Sequence, residues 1–430
     1  MKLFNNRVSL NSSSDVQIAS DKGFSFVIAF FLITSVYLIP FATSFSFGEI
    51  IVFISILWMC VKYRKIKVYK NDLFVIFAIY AVICSFFMGI INNCHISDTT
   101  IRLLRDAFYW SVIFIFGYSF IDYDTFKKWI KTMCILLCLY IITQFLVFFL
   151  TGYLIPGFFL NATVAETSTA SEIYQHIIEM AHWKGYLKAN GFLTEGSHCG
   201  QALAIGMVIV FDFNNVENNT RKTFFTIGLF SLGSLLTFTA TGFAFTFIIW
   251  IGIIFLLIKS GQANKKIGIP LLFIFVVILG YIFLRDSINI ISVAERISSS
   301  MSSSTADNSS FLRVYKGFSI WGGLPLDNKI FGLGFGNYNN LSYLVKGISA
   351  DYIASEYMNT ISYILVSSGV FGFLLYILFC GKMFIQSNYN GKFMMVIIMI
   401  MSLSSSPYSS VFWVWMWLIV INNRRGVCYE

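Results

Sequence analysis

The chain has 430 residues, of which 57% are hydrophobic, 18% aromatic and only 12% charged. A water-soluble globule of that length would lack the polar surface to stay dissolved, so composition excludes a soluble enzyme and points to an integral membrane protein. The net charge of +9 invites a nucleic-acid reading, which the placement of the basic residues rejects below.

Residues 1 to 22 are polar and expected to be disordered. The first apolar run lacks a small-residue cleavage site, so it reads as a retained helix and not a signal peptide. Hydrocarbon about 30 Å thick needs about 20 helical residues per crossing. Apolar runs near 24–42, 46–61, 72–90, 106–120, 132–151, 199–213, 223–239, 241–258, 267–284, 358–380, 393–406 and 408–421 meet that demand or fall a little short of it. The expected fold is therefore all-α: a polytopic bundle of about 12 transmembrane helices in one membrane domain covering 1–430. The runs are continuously apolar, without the alternation of a lipid-facing strand, which excludes a β-barrel. Pro40, Pro156 and Pro407 fall where helices should end, and Pro270 falls in a first turn, where its missing N–H costs least.

Basic residues are retained on the cytoplasmic side of short loops. Lys62, Arg64, Lys65, Lys67 and Lys70 crowd one such loop, and Lys127, Lys128 and Lys131, Arg221 and Lys222, Lys259, Lys265 and Lys266, Lys382 and Lys392, and Arg424 and Arg425 recur on the same side. Both termini are then cytoplasmic, and the positive charge orients the chain without implying nucleic acid.

Two outer, periplasmic segments remain, about 152–198 and 285–357, too long to be mere connectors. All four histidines, His95, His176, His182 and His198, fall on that outer side. In the first segment Ile173, Ile177 and Met180 have the spacing of an amphipathic helix, with Glu172, His176 and Glu179 on another face. No strong ligand pattern accompanies them, so a solvated face is favoured over a metal site, and no cofactor is expected. Cys94 and Cys199 both fall outside as well, but no repeated spacing argues for a bridge between them.

The next stretch is Lys188-Ala-Asn-Gly-Phe-Leu-Thr-Glu195-Gly-Ser-His198, immediately before a helix. It resembles the outer-loop signature of the bacterial O-antigen polymerase and ligase superfamily, in which a basic residue, a glycine and an aromatic precede Glu-Pro-Ser or Asp-Pro-Asn. Lys188 stands where arginine is usual and Gly196 where proline is usual. A carboxylate at a helix start is also a ready cap, so Glu195 has two readings, helix cap or catalytic group.

In the second outer segment Arg296 and Arg313 flank a serine-rich tract, and 311–321 has the spacing of a short amphipathic helix. Gly332-Leu-Gly-Phe-Gly336-Asn-Tyr338 follows. No βαβ unit surrounds these glycines, so they are not a nucleotide loop. The arrangement is again similar to the superfamily's large loop, whose arginines are thought to engage the diphosphate of a lipid-linked sugar. A guanidinium suits that task, being permanently charged and offering paired donors. Finally Asn359 is followed by Gly369 and Gly372 at the start of a helix. The superfamily's ligases resemble this, with a histidine where Met358 stands here, so the resemblance tilts toward a polymerase. Close helix packing is the plainer role for the two glycines.

The resemblance covers about 185–375. It implies an inner-membrane glycosyltransferase that joins undecaprenyl-diphosphate-linked oligosaccharide units at the periplasmic face, without metal, cofactor or nucleotide sugar, alongside a chain-length regulator. Glu195 would be the base with His198 in reserve, Arg296, Arg313 and Lys188 would hold the diphosphate, and Asn359 and Tyr338 would make other substrate contacts. An O-antigen ligase and a capsule or exopolysaccharide polymerase are close alternatives. A polysaccharide flippase is a distant one, since transporters mark their path with ionisable residues deep in helices and only Glu49 qualifies here.

Overall fold

The computed structural model describes residues 20–35, 38–39, 42–63, 66, 68–69, 71–92, 94, 96–157, 175, 177–179, 181, 187–262, 266, 268, 309–347, 358–403, 416–417 and 419–420. Among these the architecture is a helical bundle of membrane type. Four helices are long and apolar enough to cross a bilayer: α3 (Asp72–Ile91), α5 (Tyr123–Thr151), α8 (Ala240–Lys259) and α12 (Thr360–Gln386). Shorter apolar helices are α1 (Lys22–Thr34), α6 (Gly196–Val210) and α13 (Tyr389–Met401). The remaining α-helices of four residues or more are α2 (Phe47–Lys62), α4 (Ile96–Ser111), α7 (Arg221–Leu236), α9 (Ser309–Gly323), α10 (Leu326–Phe331) and the single turn α11 (Tyr338–Leu341). Most of the expected spans at 267–284 and 408–421 lies outside the described residues.

Several boundaries differ from the sequence reading, α5 for one starting at Tyr123 and not near 132, and two of the differences have a local reason. The first apolar run does not continue as helix to residue 42. It stops at Thr34, and the chain forms a small antiparallel hairpin of β1 (Leu38–Ile39) and β2 (Ala42–Ser46). In the sequence Pro40 falls inside the expected run, and its missing donor and fixed φ do not suit a helix interior. The run expected at 106–120 begins ten residues earlier, at Ile96, and passes through a π-helical turn at Val112–Gly117. Arg102, Arg105 and Asp106 masked its start as a polar loop. Arg105 Nη2 lies 2.9 Å from Glu49 Oε1, which also accepts from Tyr109 Oη at 2.6 Å. The other Glu49 oxygen closes a capping box with the Ser46 N–H at 2.6 Å. Glu49 is thus a buried ion-pair partner tying α2 to α4, and such a pair is destabilised strongly when one member is removed.

The helix ends sort into two groups. At one end Lys62 meets Asp21 (2.6 Å), Asp72 meets Lys382 (3.5 Å), Tyr69 meets Gln386 and the Phe213 N–H donates to Asn390 (2.8 Å). Of the basic residues that the sequence puts on one side, the described Lys62, Lys259, Lys382 and Lys392 lie at this end. At the other end lie the starts of α6, α8 and α12 and the end of α3.

α6 is the centre of its half of the bundle, packed on α5, α7 and α8. Small residues make this possible. Gly200 abuts Gly242 of α8, Gly206 abuts Cys134 of α5 and Phe230 of α7, and Gly233 abuts Cys138. Backbones approach closely where side chains are small, so van der Waals packing replaces the hydrophobic effect that lipid cannot supply. Cys94 and Cys199 are free thiols, Cys199 fully buried.

Candidate functional site

The signature before α6 is shaped by its own polar groups. Asn190 Nδ2 donates to the Leu193 carbonyl (2.8 Å), and Gly191 takes φ +57°, closing a turn. Buried Gln144 of α5 pins that turn, accepting from the Gly191 N–H at 2.8 Å and donating to the Ile155 carbonyl at 2.8 Å. Cys199 Sγ donates to the Asn190 carbonyl at 2.6 Å. Without Gln144 the buried Gly191 N–H would lose its partner, a cost of about 1–3 kcal/mol. Gly196, where the signature usually has proline, is wedged against the Ala189 carbonyl and the α7–α8 turn at Thr237 and Thr239.

Glu195 occupies the N-cap position of α6 but does not cap it, because its side chain accepts no bond from the helix N–H groups. Asp21, Ser46, Asn71, Asp122, Thr239 and Asn359 all do cap theirs. Instead Glu195 Oε2 accepts from Ser197 Oγ at 2.5 Å. A carboxylate has several acceptor sites, so this bond orients the group without exhausting it. His198 is fixed one turn along, its Nδ1 3.0 Å from Thr194 Oγ1 and its N–H bonded to the Glu195 carbonyl. From Leu193 to Ile209 every residue is buried except Glu195 and His198. The central helix therefore opens at two titratable side chains on adjacent turns. Lys188 is partly exposed on the irregular segment that leads to them.

The glycine-rich run and the later glycine pair, separate in sequence, are partners in space. Gly332, Gly334 and Gly336 have φ of +86°, +87° and +84°. Gly369 has φ +64° and interrupts α12. The Leu333 and Gly334 N–H groups donate to the carbonyls of Val366 and Ser367 at 2.9 and 2.8 Å, satisfying backbone that the break leaves without helical partners. A Cβ on Gly332 would overlap the Ser367 carbonyl, and one on Gly369 the Ile330 carbonyl. Gly372 lies against Tyr80 of α3, in line with the packing role read from the sequence.

Asn337 is buried between Thr99, the Ser85 carbonyl (2.9 Å) and the Leu333 carbonyl (3.0 Å). Tyr338 is 7% exposed and opens α11. Asn359 is 1% exposed and caps α12, its Oδ1 accepting from the Ser362 N–H at 2.8 Å. Both side chains belong to the packing beneath the surface. Met358 is also buried, beside Gly317 of α9. Arg313 lies on α9, one turn before Gly317, where α9 meets α12. Arg296, His95, Glu172, His176 and His182 lie outside the described residues, whereas Glu179 is exposed on a helical stretch whose Ile177 is half-buried. Among the described residues no three His, Cys, Asp or Glu side chains converge as a metal site.

Sequence reasoning passed over three groups at this end. Lys316 is fully buried on α9, and burial pushes its ammonium down from 10.5 to about 8. Arg102 Nε donates to Tyr363 Oη (3.3 Å), its guanidinium 5.7 Å from that ring. Tyr363 packs edge-on to Phe335 of the glycine run. The signal for Lys316 is its register with Ile320, four residues on along the buried stripe of α9. No protein-family model matches this sequence, and neither does any curated protein.

Proposed function

We propose that the chain is an inner-membrane O-antigen polymerase with about twelve spans, working at the periplasmic face on repeat units carried by undecaprenyl diphosphate. The observation that carries the proposal is the start of α6, where the first turn of a buried helix is accessible only at Glu195 and His198 and the carboxylate is withheld from capping. A carboxylate positioned by Ser197 suits a general base better than a structural cap. In the reaction, a hydroxyl of the incoming unit loses its proton to Glu195 and its oxygen bonds to the anomeric carbon of the growing chain. The bond from that carbon to the lipid diphosphate breaks, and the diphosphate leaves as an anion. Arg313 and Arg296, with Lys188, would hold that anion, as guanidinium and ammonium groups do.

Two features favour the polymerase over its alternatives. Met358, where the ligases have histidine, is packed under α9 and carries no titratable group to a substrate. A transporter's broken helix typically turns its free carbonyls to a cavity, whereas the break at Gly369 has its carbonyls bonded by Leu333 and Gly334.

Deleting the gene should leave lipopolysaccharide bearing single O-units, because the ligase still transfers unpolymerised units. Core-only lipopolysaccharide would point to a ligase or flippase. In complementation, Glu195→Gln should reduce long chains by roughly 100-fold at normal membrane abundance, the scale of a general base. Arg313→Lys should shorten the ladder, having lost the planar fork. Full ladders from both variants would overturn the site.

A further inference from the structure

The basic end of the bundle carries a groove that the proposed chemistry does not use. It lies between the first turn of α1 and the last two turns of α2, has a volume of about 790 Å3, and includes Asp21, Lys22, Ile54, Trp58, Lys62 and Tyr63 in its lining. Along α2, Ile54, Trp58 and Lys62 recur every four residues and so share one face. Ile54 is 59% exposed and Trp58 64%, in a helix whose charged residues are Glu49 in its first turn and Lys62 at its end. From the bundle interior outward the wall therefore reads apolar, aromatic, cationic. A phospholipid seated beside the helix presents acyl chain, glycerol ester and phosphate in that same order.

The polar end is built and not a chance of surface lysines. Lys62 Nζ lies 2.6 Å from Asp21 Oδ2, and the same oxygen accepts from Tyr63 Oη at 3.2 Å. Asp21 Oδ1 caps α1 by accepting from the Phe24 N–H at 2.8 Å. Burial alone would raise the Asp21 carboxyl, but the bonds from Lys62, Phe24 and Tyr63 hold it below its ordinary value, so the carboxylate stays charged and keeps Lys62 in place. An ammonium has three donors, of which Asp21 and Tyr63 engage two. With Lys22 beside it the rim carries net positive charge, and the sequence continues with Arg64, Lys65, Lys67 and Lys70. Basic pockets between helices at a membrane surface attract anionic headgroups.

We propose that this groove binds one anionic phospholipid, its phosphate between Lys62 and Lys22 and its acyl chain along Trp58 and Ile54. The proposal does not depend on the polymerase reading, since Glu195 lies at the opposite end of the bundle. The probe is phosphatidylglycerol, titrated against phosphatidylcholine into the purified, delipidated full chain, with bound lipid counted by native mass spectrometry. The first phosphatidylglycerol should bind at least about fivefold more tightly than phosphatidylcholine, the factor that one lysine near an anionic surface supplies. Lys62→Gln should erase most of that preference. Because Lys62→Gln also breaks the ion pair to Asp21, Ser55→Phe is the second variant. Ser55 lines the groove without taking part in the ion pair, so the substitution blocks the chain and leaves the charges, and lipid adducts should fall with the unfolding temperature of the lipid-free protein unchanged. Equal affinity for the two lipids overturns the proposal. So does wild-type preference in both variants, or displacement of the lipid by soluble glycerol phosphate, which would mean that the groove takes a free anion and not a lipid.

Discussion

Lys316 is where a single residue makes the strongest statement about this molecule. Its side chain is fully buried on α9, in the segment between apolar spans, and burial lowers its ammonium to about 8 from 10.5. The folded state therefore releases a proton that the unfolded chain still holds between about pH 8 and 10.5. Stability should rise with pH through that window, because the unfolded state binds more protons there. Below it the lysine is charged in both states and the cost of burying it is felt in full. Thermal unfolding in detergent should show the rise for the wild-type chain, and Lys316→Met should flatten it. An unchanged slope in the variant would assign the rise to other groups. Glu195 shows a different residue-level limit. Its two readings, cap and base, were both legible in Thr194-Glu-Gly-Ser-His198, but whether the carboxylate bonds a helix N–H or the Ser197 hydroxyl depends on a rotamer, which sequence does not encode.

Most helices were legible because their apolar runs are long and their caps are ordinary: Asn71 before α3, Thr239 before α8 and Asn359 before α12 all carry the short polar side chains that helix starts favour. α4 was misjudged because its arginines find partners, Arg105 on Glu49 and Arg102 on Tyr363, and only tertiary contact makes a charged helix affordable inside a bundle. The docking of the glycine run on α12 was illegible for the same reason, since each motif alone has a plain explanation. Its energetic consequence can be measured. Gly334 has φ +87° and lies against Ser85, whereas Gly347 has φ +77° with open space around it. Gly347→Ala should cost only the left-handed penalty of about 1–2 kcal/mol. Gly334→Ala adds a collision with α3 backbone and should lower the unfolding temperature much further, or prevent accumulation in the membrane. Equal effects would mean that the run does not dock on α3.

At the scale of the whole molecule, the sorting of helix ends connects the fold to its function. α6 begins just after Glu195 and delivers the chain to Phe213, whose N–H is held by Asn390 at the start of α13. α12 begins just after Asn359 and ends at Gln386, three residues before α13 starts. α6 and α12 therefore run in the same direction, and their starts, with Glu195, the glycine run and α9, share the end opposite Lys62, Lys259, Lys382 and Lys392. If basic residues mark the cytoplasm, this opposite end is periplasmic, where flipped lipid-linked sugars would be met. The orientation is testable without any assay of polymer. Reporters fused near Ser168 and near Ser304, in the two long outer segments of the sequence, should be active only outside the cytoplasm, and one near Lys67 only inside. An inside signal from either long segment would put Glu195 and α9 on the wrong side of the membrane for the reaction. The polymerase reading would then fail, while the lipid groove, which needs only a membrane surface at Lys62, would stand.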